Sequence, residues 1–292
     1  MKVAIYSRVY EQDQKADIQR LTDQLYQNAI KPVFFRGLYE QIKDQIHFTA
    51  TPELFESSTD LNDAFECMIS LGGDGTLLDT VTLVRNQKIP LLGINFGRLG
   101  FLASIGREEL DSAVASLVNH TFVKDERTLI HCDSNTPMFH DTPYALNEFA
   151  IHKLDTSSMI KIHAYLNGEF LNTYWADGLI VATPTGSTGY SLSCNGPVVF
   201  PDSGSFVITP VAPHNLNVRP IVVPDNNIIS FEIEGRADSF LCTLDSRKAI
   251  VKKDVQVAVK KEDFTVSLLR LNENNFLQTL RNKLSWGLDR RN

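Results

Sequence analysis

A chain of 292 residues, 43% hydrophobic and 22% charged, is long enough for two domains with cores of their own and has an ordinary globular composition. Its formal charge of -7 argues against nucleic acid or an anionic membrane as the main partner, because an acidic surface attracts neither. No run approaches the roughly 18 apolar residues of a membrane span, and MKVAIYSRVYEQDQ lacks a signal peptide's apolar centre, so a cytoplasmic protein is expected. Cys67, Cys132, Cys194 and Cys242 stand far apart without a C-x-x-C pair, which points to reduced core thiols rather than disulfides or zinc.

The first part of the chain alternates strand-like and helix-like segments. KVAIYS is a short apolar run, and Ile18, Leu21, Leu25 and Ala29 then recur at helical spacing. VFF precedes a polar helix candidate near residues 38 to 47. CMISLGG, the helical LLDTVTLVRN, the run IPLLGIN and the amphipathic EELDSAVASLVNH follow. This order predicts a parallel sheet covered by helices. After about residue 122 the segments become strand-like: VKDERTLIHCD, IKIHAYL, EFLNTYW, NIISFEIEG, DVQVAVKK and FTVSLLRL. Asn167-Gly168 between two alternating runs is a type I′ hairpin signal. We therefore expect an α/β domain over 1–125 with a parallel sheet, and a β-rich domain over 126–271. The helical tail 272–292, carrying Trp286, is expected to pack back on the first domain.

LGGDGT, residues 71 to 76, falls between the strand CMISL and the helix LLDTVTLV. It is thus a strand-to-helix loop at the carboxyl end of a parallel sheet, where open α/β folds bind ligands. Glycines there let a phosphate approach the backbone, and the first-turn amides of the helix point at it. Thr76 is a candidate cap for that helix. Asp74 would repel a phosphate, so it has a use if it binds a metal, accepts a proton from an attacking hydroxyl or orients that hydroxyl. That chemistry is phosphoryl transfer. A tight turn with a solvated Asp is the other reading of the same residues. Neither G-x-x-x-x-G-K-[ST] nor G-x-G-x-x-G is present.

A second loop, DGLIVATPTGSTGYSLSCNG at 177–196, runs from an apolar strand into glycines and hydroxyl side chains. Gly186 and Gly189 permit close approach, while Thr183, Thr185, Ser187, Thr188, Tyr190 and Ser191 supply hydroxyls to a polar ligand. A Gly/Ser/Thr surface turn is the plainer alternative.

The sequence resembles the NAD kinase family, which phosphorylates the 2′-hydroxyl of the adenosine ribose of NAD. The resemblance rests on GGDGT at 72–76, GINFGRLGFL at 93–102, ALNEFAIHK at 145–153, DGLIVATPTGSTGYSL at 177–192, PHNLNVRPIVV at 213–223 and NKLSWG at 282–287. GGDGT alone is shared with diacylglycerol-type lipid kinases; the ordered series is specific.

The resemblance implies an active site between an α/β and a β-rich domain, in a homodimer or homotetramer, with NAD and ATP as substrates. It implies that Asp74 is the catalytic carboxylate facing the acceptor hydroxyl. Gly72, Gly73, Gly75 and Thr76 would line the phosphate side, with Gly75 also touching substrate. Asn147 and Glu148 match the pair that contacts the dinucleotide. Both can serve one ligand only if the strand ends or bulges there. Asp177, Thr185, Ser187, Thr188, Gly189 and Tyr190 match substrate-binding positions, and Phe101 matches a residue that packs an adenine face. Mg2+ is implied by the ATP reaction, and no dedicated metal cluster is visible. Three features depart from the usual pattern: Gly189 stands where Ala is usual, Cys194-Asn195 precedes Gly196, and Asp245-Ser246-Arg247 replaces a DG-containing motif. His214 and Arg219 lie in a matching block, where reaching a phosphate across a subunit interface and a structural role are both open, and the role of Arg247 is left open. A lipid kinase sharing GGDGT and a catalytically silent nucleotide-binding module remain the alternatives.

Overall fold

The computed structural model describes residues 1–97, 100–154, 158–272 and 275–285. The chain divides into two compact units, Met1–Glu126 with Val266–Asn292, and Arg127–Thr265.

The first unit is an α/β layer structure. Its elements in order are β1 (Lys2–Tyr6), α1 (Lys15–Gln27), β2 (Lys31–Phe35), α2 (Arg36–Ile42), β3 (Glu53–Phe55), β4 (Phe65–Leu71), α3 (Asp74–Val84), β5 (Leu91–Asn95), β6 (Ile105–Gly106) and α4 (Leu110–Val118). The strands pair in parallel in the order β3-β2-β1-β4-β5, with β6 continuing beyond β5. β5 is buried at every residue and β4 at all but Glu66, as expected of strands covered on both faces. Helix α1 presents Ile18, Leu21 and Leu25, and α4 presents Leu110, Ala113, Val114 and Leu117, to a core shared with Val3, Ile5, Ile69 and Ile94. The helix expected at 38–47 begins and ends earlier, at 36–42, directly at the end of β2.

The second unit is β-rich. Its strands are β7 (Val123–Ser134, entering from the first unit), β8 (Tyr144–Ala145), β9 (Glu148–Lys153), β10 (Ile160–Leu166), β11 (Glu169–Ala176) and β12 (Gly178–Ala182). Helix α5 (Tyr190–Ser193) is followed by β13 (Ser205–Val211), β14 (Ile221–Pro224), β15 (Ile229–Glu234), β16 (Ser239–Leu244), β17 (Arg247–Lys252) and β18 (Val257–Arg270). Six of these form an antiparallel sheet, β14-β13-β12-β9-β16-β17. Strands β11, β10, β15 and the start of β18 pair in a second antiparallel set. Alternate residues of the two sets meet in one core, where Phe149, Ile151, Val181, Phe206 and Phe240 join Ile162, Phe231 and Ile233. Truncating the fully buried Phe149 to Ala would cost about 3–5 kcal/mol there. The opposite face of the six-stranded sheet is also buried, through Ala150, Ile180, Ala182 and Val207, with Cys194 and Val199 packed on it. The 183–199 segment is thus laid against that face.

Asn167 and Gly168 take φ of 52° and 84°, as a type I′ turn between β10 and β11 requires. DVQVAVKK and FTVSLLRL merge into the single strand β18, because the polar residues between them continue the in-out alternation. The end of β18 belongs to the first unit, where Leu268 and Leu269 pair in parallel with Leu91 and Leu92. Helix α6 (Phe276–Leu284) follows, capped by the Asn275 side chain, which accepts from the Gln278 amide, and burying Leu280. Trp286 and Gly287 lie outside the described residues.

Candidate active site

In the first unit the buried strand β4 ends at Leu71 and α3 begins at Asp74. Gly72 makes the turn with φ 145°, and a Cβ there would meet Thr76 Oγ1 at 2.5 Å. The helix cap is Gly73, with Asp74 as the first helical residue. Thr76 is therefore the third residue of the helix rather than its cap, because the glycine-rich turn starts α3 three residues earlier than the sequence suggested. Gly73 and Gly75 are exposed, and a Cβ on either would meet nothing within 4 Å. Open backbone at a helix start suits an anion.

Asp74 is part-exposed and is not turned out into solvent. Its Oδ2 accepts the Phe101 amide at 2.9 Å, and its Oδ1 accepts the Leu102 and Ala103 amides at 3.1 and 3.0 Å. Gly100 lets that loop close on it, since a Cβ at residue 100 would stand 1.7 Å from Asp74 Oδ1. An ionised carboxylate has about four acceptor positions, so three amides leave one, on Oδ2. The loop fixes the carboxylate and leaves it one position for another donor. Phe101, half-buried, is held by its backbone to the same carboxylate.

The second unit contains a matching arrangement. Asp245, in the turn between β16 and β17 with φ 51°, accepts the amides of Leu146 (3.0 Å), Asn147 (2.9 Å) and Glu148 (3.2 Å). Its own amide returns to the Glu148 carbonyl at 3.0 Å. Asn147 lies just before β9 and Glu148 is its first residue, so the strand ends at this pair and both side chains are released from strict alternation. Glu148 Oε2 is buried with no hydrogen-bond partner among the described residues. Burial, and next the Asp245 charge, push the Glu148 carboxyl up to about 8. Burial raises Asp245 as well, but three amides and Arg247 oppose it.

The loop after β12 is seated on this pair. Thr183 donates its hydroxyl to the Leu146 carbonyl at 2.6 Å and its amide to the Asn147 carbonyl at 2.8 Å. Gly186 packs so closely that a Cβ would lie 2.0 Å from the Asn147 carbonyl oxygen. Ser187 is fully buried; its hydroxyl donates to the Pro184 carbonyl (2.7 Å) and accepts the Val199 amide (3.0 Å), so it closes the loop on itself. Thr185 is buried and accepts from Arg127 Nη1 at 3.2 Å. Thr188 and Gly189 are part-exposed, and Tyr190 is exposed, with its ring 5.6 Å from that of His152. Asp177, just before β12, pairs with Lys153 Nζ at 2.6 Å.

Several participants carried no sequence signal. Asp245 stood out only as a departure from a pattern, yet it holds the backbone of Asn147 and Glu148. Arg247 braces the preceding turn by donating to the Thr142 and Tyr144 carbonyls and, at 2.8 Å, to Thr142 Oγ1. Arg127, which donates to Thr185, is likewise unmarked in the sequence. His214 stacks on Trp175 with centroids 4.8 Å apart, and Arg219 donates to the Leu216 and Val218 carbonyls, so both have local structural partners. Cys67, Cys132 and Cys242 are buried thiols, whereas Cys194 is only half-buried.

Among the described residues no group of three His, Cys, Asp or Glu side chains could hold a metal ion, and no helix is long and apolar enough to cross a membrane.

Comparison with known proteins gives the chain's family. The model of the ATP-NAD kinase N-terminal domain matches residues 13–122, and that of the ATP-NAD kinase C-terminal domain matches 146–271. The NAD kinase of Cytophaga hutchinsonii is 49% identical, and that of Flavobacterium psychrophilum 45% identical, each match covering 100% of both chains. Among solved structures, yeast NADH kinase complexed with NADH superposes with a TM-score of 0.88 at 21% identity, over 99% of this chain and 88% of that one. An Archaeoglobus fulgidus NAD kinase in complex with ATP gives 0.74 at 24% identity, over 98% and 99%. At those identities the two structures bear on the fold, while the sequence relatives bear on the family and do not favour a lipid kinase or a silent module. The chain belongs to the NAD kinase family.

Proposed function

We propose that the chain transfers the terminal phosphoryl group of ATP to the 2′-hydroxyl of the adenosine ribose of NAD, giving NADP and ADP, with Asp74 orienting that hydroxyl. The observation that supports this most is the Asp74 carboxylate, fixed by three amides of residues 101–103 with one acceptor position remaining. A phosphoryl transition state is loose, and the hydroxyl acidifies late, so holding it in line contributes more than early proton removal. The new bond joins the 2′-oxygen to phosphorus as the bond to the ADP oxygen breaks. The hydroxyl proton passes to Asp74 or to water. The exposed backbone of Gly73 and Gly75 and the first turn of α3 suit the donor phosphates, with Gly72 and Thr76 shaping the turn.

In the second unit, Asn147 and Glu148 are assigned to a sugar, Asp177, Thr188, Gly189 and Tyr190 to the remaining dinucleotide contacts, and Phe101 of the first unit to a base face. Thr185 and Ser187 are assigned to holding the loop rather than to direct contact, since both are buried and bonded within the protein. Magnesium is assigned to ATP, whose phosphates supply oxygen ligands that no cluster of described side chains offers. When bound it neutralises phosphate charge. We place the enzyme in the cytoplasm as a homodimer or homotetramer, which light scattering on the purified protein tests.

The deciding experiment incubates the protein with NAD, ATP and magnesium and measures NADP with an NADP-specific dehydrogenase. NADP formation that requires both nucleotides supports the reading. Phosphorylation of diacylglycerol without NADP overturns it.

A further inference from the structure

Arg8 follows β1, the strand between β2 and β4, so it stands at the carboxyl edge of the parallel sheet beside the strand that leads into the glycine-rich turn. Tyr6 pairs in register with Ser70, and Arg8 and Gly72 each come two residues later. The Ser7 hydroxyl donates to the Val9 carbonyl at 2.9 Å and the Tyr10 amide to Gln41 Oε1 at 2.9 Å, which pins the loop carrying Arg8. The Arg8 guanidinium donates through Nε (2.7 Å) and Nη2 to the two oxygens of Asp79, and the Tyr6 hydroxyl donates to Asp79 Oδ2 at 3.1 Å. Asp79 lies four residues after Gly75, on the same face of α3 and one turn along it. It takes two of the five N–H groups of the fork, and the Nη1 end, on a side chain that is 53% exposed, is not engaged by it. Two other arginines are placed differently. Arg36 follows β2, one strand further from β4, and pairs with Glu56, while Arg107 is shared between Asp13 and Asp17.

We propose that Arg8 binds the phosphate chain of the ATP donor, with Asp79 and Tyr6 holding its guanidinium so that the remaining N–H groups meet phosphate oxygens at the start of α3. This rests on the reading that ATP is the donor and lies on that helix. A triphosphate brings several negative charges to a helix whose first residue is itself an acid, Asp74, so open amides alone leave a repulsion that a nearby cation offsets. Arginine suits the task. Its planar fork can serve one carboxylate along the Nε side and phosphate oxygens along the Nη side, and it stays charged at every working pH. The ion pair with Asp79 is too exposed to add much stability, so replacing Arg8 should leave the fold in place.

The test measures dissociation constants for ATP and for NAD separately by calorimetry, at low and high salt, with KM and kcat for NADP formation and the urea midpoint of each protein. The proteins are wild type, Arg8→Gln and Arg8→Lys. Losing a hydrogen bond between charged groups corresponds to about 10- to 100-fold in affinity. Arg8→Gln is expected to weaken ATP by that factor and to raise its KM, while the NAD constant stays within about twofold and the urea midpoint barely moves. Arg8→Lys keeps the charge without the fork and should recover part of the loss. Added salt should weaken ATP binding more steeply in the wild type than in Arg8→Gln, because the variant lacks one screened attraction. Tripolyphosphate, the phosphate chain without its nucleoside, should compete with ATP about tenfold less well in Arg8→Gln. The proposal is overturned if Arg8→Gln binds ATP within about twofold of the wild type, if NAD is weakened as much as ATP, or if the ATP loss comes only with a matching fall in the urea midpoint. If the wild type binds ATP yet makes no NADP, the proposed function fails while the binding results still judge Arg8. If NADP is made and Arg8→Gln is neutral, only the role of Arg8 fails.

Discussion

Glu148→Gln removes an ionisable group from a place where burial opposes its charge, and the change in stability should depend on pH in one direction. The Glu148 carboxyl is pushed from 4.5 up to about 8, first by burial and then by Asp245. Between those values the folded protein holds a proton that the unfolded chain has released, so stability falls as pH rises through this window. The penalty is absent below the lower value and complete above the upper one. At about 1.4 kcal/mol per pH unit the ceiling is about 5 kcal/mol; part of the residue reaches solvent, which reduces the expected effect to about 2 kcal/mol. Urea unfolding of both proteins at about pH 5, 7 and 9 measures this. A constant offset from the new amide cancels, because only the change in the difference matters. Glu148→Gln should gain on the wild type by about 2 kcal/mol between the extremes, most of it below about pH 8. A difference that stays flat, or that moves in favour of the wild type, refutes the upward shift of the Glu148 carboxyl.

Gly100→Ala places a methyl group on Asp74 Oδ1 and should expel the carboxylate from the 101–103 amides. NADP formation is expected to fall by about 100-fold or more while the circular dichroism spectrum stays native, since such misplacement is felt in the chemistry first. Asp245→Asn turns an amide group toward one or more of the Leu146, Asn147 and Glu148 amides that its carboxylate now accepts. Urea unfolding should show a loss of about 1–3 kcal/mol, and NAD titration a weaker complex. Phe149→Ala, at the centre of the second core, should cost about 3–5 kcal/mol in the same unfolding assay.

The elements were legible where one physical signal dominated. CMISL and LLGIN are continuous buried runs and became β4 and β5, and Asn167-Gly168 became the turn its residues favour. DVQVAVKK and FTVSLLRL joined into one strand because alternation, not polarity, decides whether a strand continues. The candidate site was legible at its glycines and acids but not in its fastening. Asp74 reaches amides 27 to 29 residues away and Asp245 reaches amides 97 to 99 away. Backbone N–H groups belong to nearly every residue, so a carboxylate that binds them leaves no partner type to find in the sequence. Ser187 and Thr185 read as ligand-facing hydroxyls because composition does not say which way a hydroxyl turns. Burial does, and both turn inward.

Asp74→Asn, followed by single-turnover NADP formation with separate NAD and ATP titrations, addresses the role of Asp74 itself. The variant's side-chain oxygen can keep the Leu102 and Ala103 amides, but its NH2 group faces the Phe101 amide that Oδ2 now accepts. The rate should fall by about 100- to 1,000-fold while both dissociation constants stay within about threefold. A rate close to that of the wild type, with both nucleotides bound, would show that the acceptor hydroxyl is oriented by some other group.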